Sequence, residues 1–336
     1  MRYLLFCLLA VAALPAPAEW FSREEAIMGT AVRVELWHED AAAARAAMSA
    51  VMDEMHRIDA SMSPYKPDSE LSRINREAAH KPVPISQEMF DLITRSIEFS
   101  KLSGGAFDIT FSSVGYLYDY REHVKPTDAQ IAKALPGINF RHLQLDPKGR
   151  TIHYARPGVR IDLGGIAKGY AVDNSIAILK GRGITNAIVT AGGDSRLLGD
   201  KRGRPWSVGI RDPRRRGEVA AVLPLADVAI STSGDYERFF EEDGVRHHHI
   251  INPRTGKSAT GVRSVTVIGP DGITTEGLTK SVFVKGPKEG MRLIESIKGV
   301  DAIIIDDTGH MLYSPGLRDA VREEPVPVAP NPGAAH

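Results

Sequence analysis

The stretch that decides the fold lies in the middle of the chain, where residues 161–173 read IDLGGIAKGYAVD. An apolar run ends in Asp162, two glycines follow, and a helical pattern continues from 166 to 181. Because glycine permits tight turns and close approach of a ligand, the stretch predicts a strand, a turn and a helix. The N–H groups at the helix start would favour phosphate, and Lys168 adds positive charge there. A plain strand-turn-helix without a ligand explains this block equally well when it is taken alone.

Around this block, short strands and helices alternate without a regular order. We expect strands at 31–36, 142–145, 151–154, 159–162, 187–190, 206–211, 219–225, 228–231, 262–268 and 302–306. We expect helices at 41–60, 86–102, 166–181, 274–286 and 290–297, and a short one from 126. The methionines of the first helix, Met48, Met52 and Met55, are interpreted as core residues, and Ser86 as the N-cap of the second. This order favours a single compact α+β domain with mixed short strands and helices over a doubly wound parallel sheet.

The composition is that of a globular protein with a sizeable core. The 336 residues are 43% hydrophobic and 25% charged, and the 42 Lys and Arg balance the 42 Asp and Glu. A net charge of zero gives no long-range attraction to nucleic acid or to an anionic membrane. The basic cluster at 211–216 is interpreted as a solvated loop.

The N-terminus has the pattern of a secretory signal. Arg2 precedes an apolar run at 3–14, which is too short to span a bilayer, and an Ala-x-Ala site ends at Ala18. Residues 1–18 are therefore predicted to be a signal peptide, with an uncleaved anchor as the alternative, and the location is predicted to be periplasmic. The only cysteine, Cys7, lies in this segment, so 19–336 offers neither a disulfide nor a thiol nucleophile. We assign 19–322 to the domain and the Pro- and Ala-rich 323–336 to a disordered tail.

Two further glycine turns and a run of histidines complete the candidate features. In the turn at 103–110, Phe107 could be core or face an aromatic ligand, and Asp108 could cap a turn or bind a ligand. A second turn spans 191–194. Adjacent residues of an extended chain point to opposite faces, so residues 247–249 favour one histidine at a site over a three-histidine metal site. His247 and His248 are interpreted as structural or surface residues.

Taken together, these motifs resemble the flavin transferase family, the FAD:protein FMN transferases of the ApbE type. The resemblance runs in order from residue 28 to residue 286. Its landmarks are Met28-Gly29-Thr30, MSPY at 62–65 with SELSRIN at 69–75, the blocks 104–110, 162–173 and 191–194, Ser233-Gly234, and HIINPRTG at 249–256. Single motifs of this kind are weak, whereas the ordered set is specific.

The resemblance implies a metal-dependent transferase that cleaves FAD, attaches FMN through a phosphoester to a Thr or Ser, and releases AMP. The implied acceptor is an exported or membrane redox protein, such as a respiratory complex subunit or an FMN-binding domain. The implied FAD contacts are Met28, Tyr65, Ala106, Phe107, Asp108, Asp162, Lys168 and Ile251. Mg²⁺ would be bound by the Gly165 carbonyl and Glu276. His249 would deprotonate the acceptor hydroxyl, a role that suits histidine near neutral pH.

The sequence departs from the family pattern at the later metal motif, where Asp is followed by Thr four residues on. Here Glu276 and Lys280 occupy these positions. Three outcomes stay open: Mg²⁺ binds through Glu276, Gly165 and waters with Lys280 turned aside; Lys280 supplies part of the metal's charge; or the site holds flavin without transferring it. Two other functions also stay open, an FAD pyrophosphatase yielding FMN and AMP, and a non-catalytic flavin-binding or assembly protein.

Overall fold

The computed structural model describes residues 19–215 and 217–317. The predicted signal peptide at 1–18 and the predicted tail at 323–336 lie outside the described residues, so both stay predictions. No helix in the described part of the chain is long and apolar enough to cross a membrane.

Helices and strands follow one another in an irregular order along the described chain. The strands are β1 (Glu19–Ile27), β2 (Thr30–His38), β3 (Val83–Pro84), β4 (Leu143–Asp146), β5 (Thr151–Tyr154), β6 (Ala187–Ala191), β7 (Asp194–Leu198), β8 (Trp206–Arg211), β9 (Val219–Leu225), β10 (Ala229–Gly234), β11 (Phe239–Glu242), β12 (Val245–His248), β13 (Val262–Gly269), β14 (Asp301–Asp306) and β15 (Met311–Tyr313). The helices are α1 (Ala41–Met62), α2 (Glu70–Glu77), α3 (Gln87–Leu102), α4 (Ser112–Gly115), α5 (Asp128–Ala134), α6 (Ala167–Gly181), α7 (Gly272–Lys285) and α8 (Pro287–Glu295).

An antiparallel sheet of eight strands forms the centre of the molecule, in the order β1-β2-β6-β7-β10-β13-β14-β15. Three small sheets, β3-β5-β4, β8-β9 and β11-β12, surround it. Antiparallel strands combined with separately placed helices are the pattern of an α+β protein. The predicted fold class is therefore confirmed.

The central sheet is covered on both faces, and β10 shows the division. Its Ile230 packs in an apolar cluster with Trp206 and Leu223 of the β8–β9 hairpin. The hydroxyls of Ser231 and Ser233 instead bond the hydroxyls of two threonines of α7, at 2.8 and 2.9 Å. Because neighbouring strand residues point to opposite faces, the hairpin covers one face and the helices cover the other.

The helix face holds the larger core. Eight residues of α1 are buried, among them Met48, Met52 and Met55, which confirms that the methionines fill the core. Ser86 caps α3 by accepting the N–H of Met89 at 3.1 Å, as its position before the apolar pattern predicts.

One predicted strand, at 159–162, is wrong. Side chains and a turn satisfy its backbone instead of a neighbouring strand. Asn75 accepts the N–H of Ile161 and donates to its carbonyl, both at 2.8 Å, and Ser113 accepts the N–H of Arg160 at 3.0 Å. The segment is therefore extended but pairs with no sheet in the described structure, and it leads directly into the glycine turn before α6.

Several elements were not predicted, namely β1, β3, β7, β11, β12, β15, α2 and α4. The sequences of β1 (EWFSREEAI) and α2 (ELSRINRE) are rich in charged residues and lack a clear apolar period. β1 lies at the edge of the sheet and pairs along its whole length with β2, so tertiary pairing rather than local pattern stabilises it.

Helices α6 and α7 cross at two glycines. A Cβ atom on Gly169 would overlap the carbonyl oxygen of Gly272, so the two backbones are in direct contact. Each helix then caps the other. Asp173 of α6 accepts the N–H groups of Gly272 and Ile273, at 2.8 and 3.0 Å, and Glu276 of α7 accepts the N–H of Gly169 at 2.7 Å. These carboxylates satisfy free N–H groups at both helix starts, which places Glu276 beside Lys168.

Candidate functional site

The site is built around the carboxylate of Glu276, which is fully buried. Its Oε1 accepts from Lys168 Nζ at 2.5 Å and from Lys280 Nζ at 3.2 Å. Lys168 Nζ also donates to Asp194 Oδ2 at 2.5 Å. The side chains of Lys168 and Lys280 are 20% and 18% exposed, so part of each lysine reaches solvent. Two ammonium groups and two carboxylates therefore balance in charge at the start of α6.

Lys168 and Asp194 of this cluster are each stabilised in the charged form by their partners. Burial would lower the pKa of Lys168, but Asp194 and Glu276 outweigh it and the pKa is raised. Burial would raise the pKa of Asp194, but Lys168 and Lys280 outweigh it and the pKa is lowered. Asp194 Oδ1 is buried and has no hydrogen-bond partner among the described residues. The sequence motif contained Asp194, yet only its contact with Lys168 shows that it belongs to the site.

Gly165 and Phe107 line one side of this cluster. A Cβ atom on Gly165 would lie 3.3 Å from the Phe107 ring and 3.8 Å from the Lys280 side chain. Phe107 is buried and packs edge-on against Phe99 of α3, at 5.8 Å between ring centroids. Gly165 therefore packs closely against Phe107, and a side chain at this position would crowd the ring. Ala106, next to Phe107, is also buried.

Asp108 caps a turn. Its Oδ1 accepts the N–H and the hydroxyl of Thr110 at 2.9 and 2.6 Å, and its Oδ2 accepts the N–H of Phe140 at 2.8 Å. Burial raises the pKa of this carboxyl despite these bonds. Of the two roles that the sequence left open, the structure shows the turn cap, and the contact of Asp108 with FAD stays a prediction.

His249 lies just after β12, and its backbone N–H donates to the Arg238 carbonyl at 3.1 Å. Its Nδ1 is buried and has no hydrogen-bond partner among the described residues. Burial, followed by the charges of Arg238 and Lys280, lowers the pKa of His249 to about 3. The ring is therefore neutral at physiological pH, with one nitrogen free to accept a proton. Arg238 was not predicted, and no motif marked it.

The other two histidines of the run differ from His249. His248 is buried, its Nε2 lies 2.8 Å from the Ala259 carbonyl, and its ring packs edge-on against Phe283. His247 packs against the Phe240 ring, with centroids 5.2 Å apart. The structural interpretation of His248 is confirmed, and the described residues contain no cluster of three His, Cys, Asp or Glu side chains that could hold a metal ion.

The first landmark, Met28 and Gly29, forms the tight turn between β1 and β2. Both residues have positive φ, 55° and 70°, which is the backbone of a two-residue hairpin turn that follows the strand twist. Arg238 Nη2 lies 3.4 Å from the Gly29 carbonyl, so this turn and His249 meet at the same arginine.

A cleft of about 260 Å³ lies beside Arg160, and Tyr65, which lines it, has 85% of its surface exposed. Its lining is Pro64, Tyr65, Pro67, Ser72, Asn75, Arg76 and Arg160. Asp162 lies two residues after Arg160 in the chain. Burial raises the pKa of its carboxyl, and the hydrogen bond that Oδ1 accepts from the Gly164 N–H, at 2.6 Å, opposes this rise. An exposed tyrosine beside two arginines offers a flat ring and positive charge to a planar, anionic ligand.

The structure brings most of the predicted site residues together. Asp162, Gly165, Lys168, Glu276, Lys280 and His249 share one region with Phe107 and the turn at Met28. Ile251 differs, because it packs in a small apolar cluster with Val114, Tyr118 and Ile131. The contact of Ile251 with FAD stays a prediction. The packing of its side chain in this cluster does not support such a contact.

The donor set does not fit the Mg²⁺ that the resemblance implies. Mg²⁺ requires about six oxygen ligands in octahedral geometry. Glu276 already accepts from two ammonium groups and one N–H, and Lys280 cannot ligate a cation while protonated. Lys280 is also not turned aside, since it contacts Glu276. The assignment of Gly165 and Glu276 as metal ligands stays a prediction, and this geometry argues against it.

Comparison with known proteins agrees with the geometry. An FAD:protein FMN transferase of Treponema pallidum is 34% identical over 322 residues, covering 90% of this chain and 89% of that protein. Another, of Vibrio cholerae, is 34% identical over 318 residues, covering 91% and 94%.

Two solved structures have the same fold. The ApbE protein of Thermotoga maritima has a TM-score of 0.84 and 33% identity, covering 91% of this chain and 100% of that one. The flavin transferase ApbE of Vibrio cholerae has a TM-score of 0.81 and 30% identity, covering 90% and 100%. The family model for the ApbE family matches residues 28–304, and this chain therefore belongs to the ApbE family.

Proposed function

We propose that this protein is an FAD:protein FMN transferase. The observation that carries the proposal is the arrangement of a neutral His249 beside Arg238 and the Lys168–Glu276–Lys280 cluster in a member of the ApbE family. A base next to fixed positive charges is what transfer of a phosphate ester to a hydroxyl requires, because positioning and charge stabilisation dominate this chemistry.

The reaction makes one bond and breaks one bond. The hydroxyl oxygen of an acceptor Thr or Ser attacks the phosphorus on the FMN side of the FAD pyrophosphate, and the bond from this phosphorus to the AMP phosphate oxygen breaks. The hydroxyl proton passes to His249, and AMP leaves with the electron pair. Before FAD binds, burial, followed by the charges of Arg238 and Lys280, lowers the pKa of His249 to about 3. The negative charge of a bound pyrophosphate would raise this pKa and make the ring a better base.

The acceptor and the compartment belong to the same proposal. The sequence of 1–18 supports export, and an exported or membrane-anchored redox protein is the acceptor class that the family resemblance implies. Cell fractionation with an antibody against the chain tests export, and deletion of 2–18 should leave the protein in the cytoplasm. The proposed reaction uses no divalent cation, because the donor set around Glu276 does not fit one.

Mass spectrometry tests the transfer. The purified protein is incubated with FAD, with and without Mg²⁺, and with a panel of FMN-binding domains, and each domain is weighed. We expect a gain of one FMN, abolished by His249→Ala and kept by His310→Ala, which removes an exposed histidine next to β15. AMP without a mass gain would instead indicate a pyrophosphatase. Bound FAD with neither product would indicate a flavin-binding protein.

A further inference from the structure

Lys280 is held in the site by its own helix. It lies one turn after Glu276 on α7, and its Nζ contacts Glu276 Oε1 at 3.2 Å. Residues four apart on a helix face the same side, so Glu276 directs the ammonium group towards the start of α6. Gly165 lies beside Lys280, since a Cβ atom on this glycine would be 3.8 Å from the Lys280 side chain.

The charge balance of the cluster disfavours binding of a divalent cation. Lys168 and Lys280 contribute two positive charges, and Glu276 and Asp194 contribute two negative charges. In the FAD-free protein, adding a divalent ion would place a net charge of about +2 in this largely buried cluster, which is costly in a low dielectric. Asp194 Oδ1 is the one oxygen of these two carboxylates without a partner among the described residues. One free carboxylate oxygen and a peptide carbonyl do not make a Mg²⁺ site.

We propose that the ammonium group of Lys280 takes the place of a bound divalent cation and neutralises the FAD pyrophosphate during transfer. The inference rests on the proposed function and specifies how this chain performs it. Lysine is a compact point charge that binds phosphate well. Glu276 acts as a positioning residue for Lys280 and Lys168, and the reaction proceeds without a metal ion.

The proposal predicts how the wild type responds to metal removal. With EDTA, the rate of FMN transfer should match the rate with Mg²⁺. Mg²⁺ should also leave the thermal midpoint of the FAD-free protein unchanged, which tests binding without any turnover. A loss of about tenfold or more in EDTA that Mg²⁺ restores, or a rise of the midpoint with Mg²⁺, would overturn the proposal.

Substitution tests the charge directly. Lys280→Met should slow transfer about 10²-fold or more, the effect of removing one charge-stabilising group, while circular dichroism shows a folded protein. Lys285→Met removes the same charge from the last turn of the same helix and should keep the wild-type rate. The double variant Glu276→Asp/Lys280→Thr restores the family pattern and should become dependent on Mg²⁺. A Lys280→Met variant that is as fast as the wild type contradicts the proposal.

The affinity for FAD tests the role of Lys280 even if no acceptor takes up FMN. In EDTA, Lys280→Met should weaken FAD binding by about 10- to 100-fold, as expected for loss of one hydrogen bond to a charged group, and Lys285→Met should not. If transfer fails in every condition but this difference in affinity appears, the proposed function fails, and what stands is that Lys280 binds the FAD pyrophosphate. Equal affinities in the two variants would overturn it.

Discussion

Glu276 is the residue on which the site depends most directly. It accepts from Lys168, from Lys280 and from the Gly169 N–H, and no part of it reaches solvent. A buried acid is tolerated only when it is paired and hydrogen-bonded, and here three donors meet that need. Its partners would be left with excess positive charge if its own charge were removed.

Glu276→Gln should therefore lower the free energy of unfolding by about 3–5 kcal/mol, the cost of breaking a buried ion pair. The matched change Glu289→Gln affects an exposed acid that pairs with Lys285 on the neighbouring helix. It should change the stability by less than about 1 kcal/mol. Urea unfolding of both variants measures the difference, and equal stabilities would show that the cluster is not tightly coupled.

His249 should make the protein sensitive to acid. Its pKa is lowered to about 3 in the folded protein, whereas an unfolded histidine titrates near 6.5, at about its ordinary value. The contribution of the neutral ring to the free energy of unfolding is complete above pH 6.5. It is lost as the pH falls towards 3, because the histidine of the unfolded chain binds a proton at a higher pH than the folded one.

Between pH 7 and pH 5, the wild type should lose about 2 kcal/mol relative to His249→Gln, which has no titrating group at this position. Urea unfolding of both proteins at the two pH values measures this difference. Stability curves that run parallel with pH would mean that His249 is protonated as easily in the folded protein as in the unfolded chain.

At the scale of elements, the crossing of α6 and α7 places the site. Gly169 and Gly272 bring the helix backbones into contact, and Asp173 and Glu276 cap the opposite helix. The same contact brings Glu276 to Lys168. The position of the charge cluster is thus a consequence of how closely two helices approach.

Gly169→Ala should lower the free energy of unfolding by about 3 kcal/mol or more, because its Cβ meets backbone that no rotamer change can move. Gly181→Ala is the control, since a Cβ at the exposed end of α6 meets nothing within 4 Å. It should be neutral or stabilising by up to about 1 kcal/mol. Thermal unfolding compares the two variants, and equal losses would place the helices further apart than described.

At the scale of the whole molecule, the central sheet separates the site from a second apolar core. Trp206 of β8 packs edge-on against Trp20 of β1, with centroids 5.2 Å apart, and its Nε1 donates to the Gly199 carbonyl at 3.2 Å. This core lies on the face opposite α7, as the alternation of Ile230 and Ser231 along β10 shows.

Trp206→Leu should therefore lower the free energy of unfolding by about 2–4 kcal/mol, through lost packing and a lost hydrogen bond, without changing the affinity for FAD. Urea unfolding and fluorescence titration with FAD measure the two quantities separately. A parallel loss of FAD affinity would show that the sheet transmits strain between its faces.

Much of the fold could be predicted because local rules decided it. The apolar period of α1, the Ser86 cap of α3 and the apolar runs of β8, β9 and β13 are formed as the sequence indicates. The strand at 159–162 was wrong because distant side chains, those of Asn75 and Ser113, satisfy its backbone. β1 was missed because a charged edge strand depends on its partner.

The site also combines features that the sequence could predict with features that it could not. Residue types and spacing marked Lys168 and the glycine turns, because a phosphate ligand needs those groups at accessible turns. The role of His249 as a base came from the resemblance to the flavin transferase family. Which charges meet could be decided only by the tertiary structure. Lys168 and Glu276 are 108 residues apart along the chain. Their contact depends on two helices crossing at glycine residues, and no local sequence pattern predicts a contact between residues so far apart in the chain.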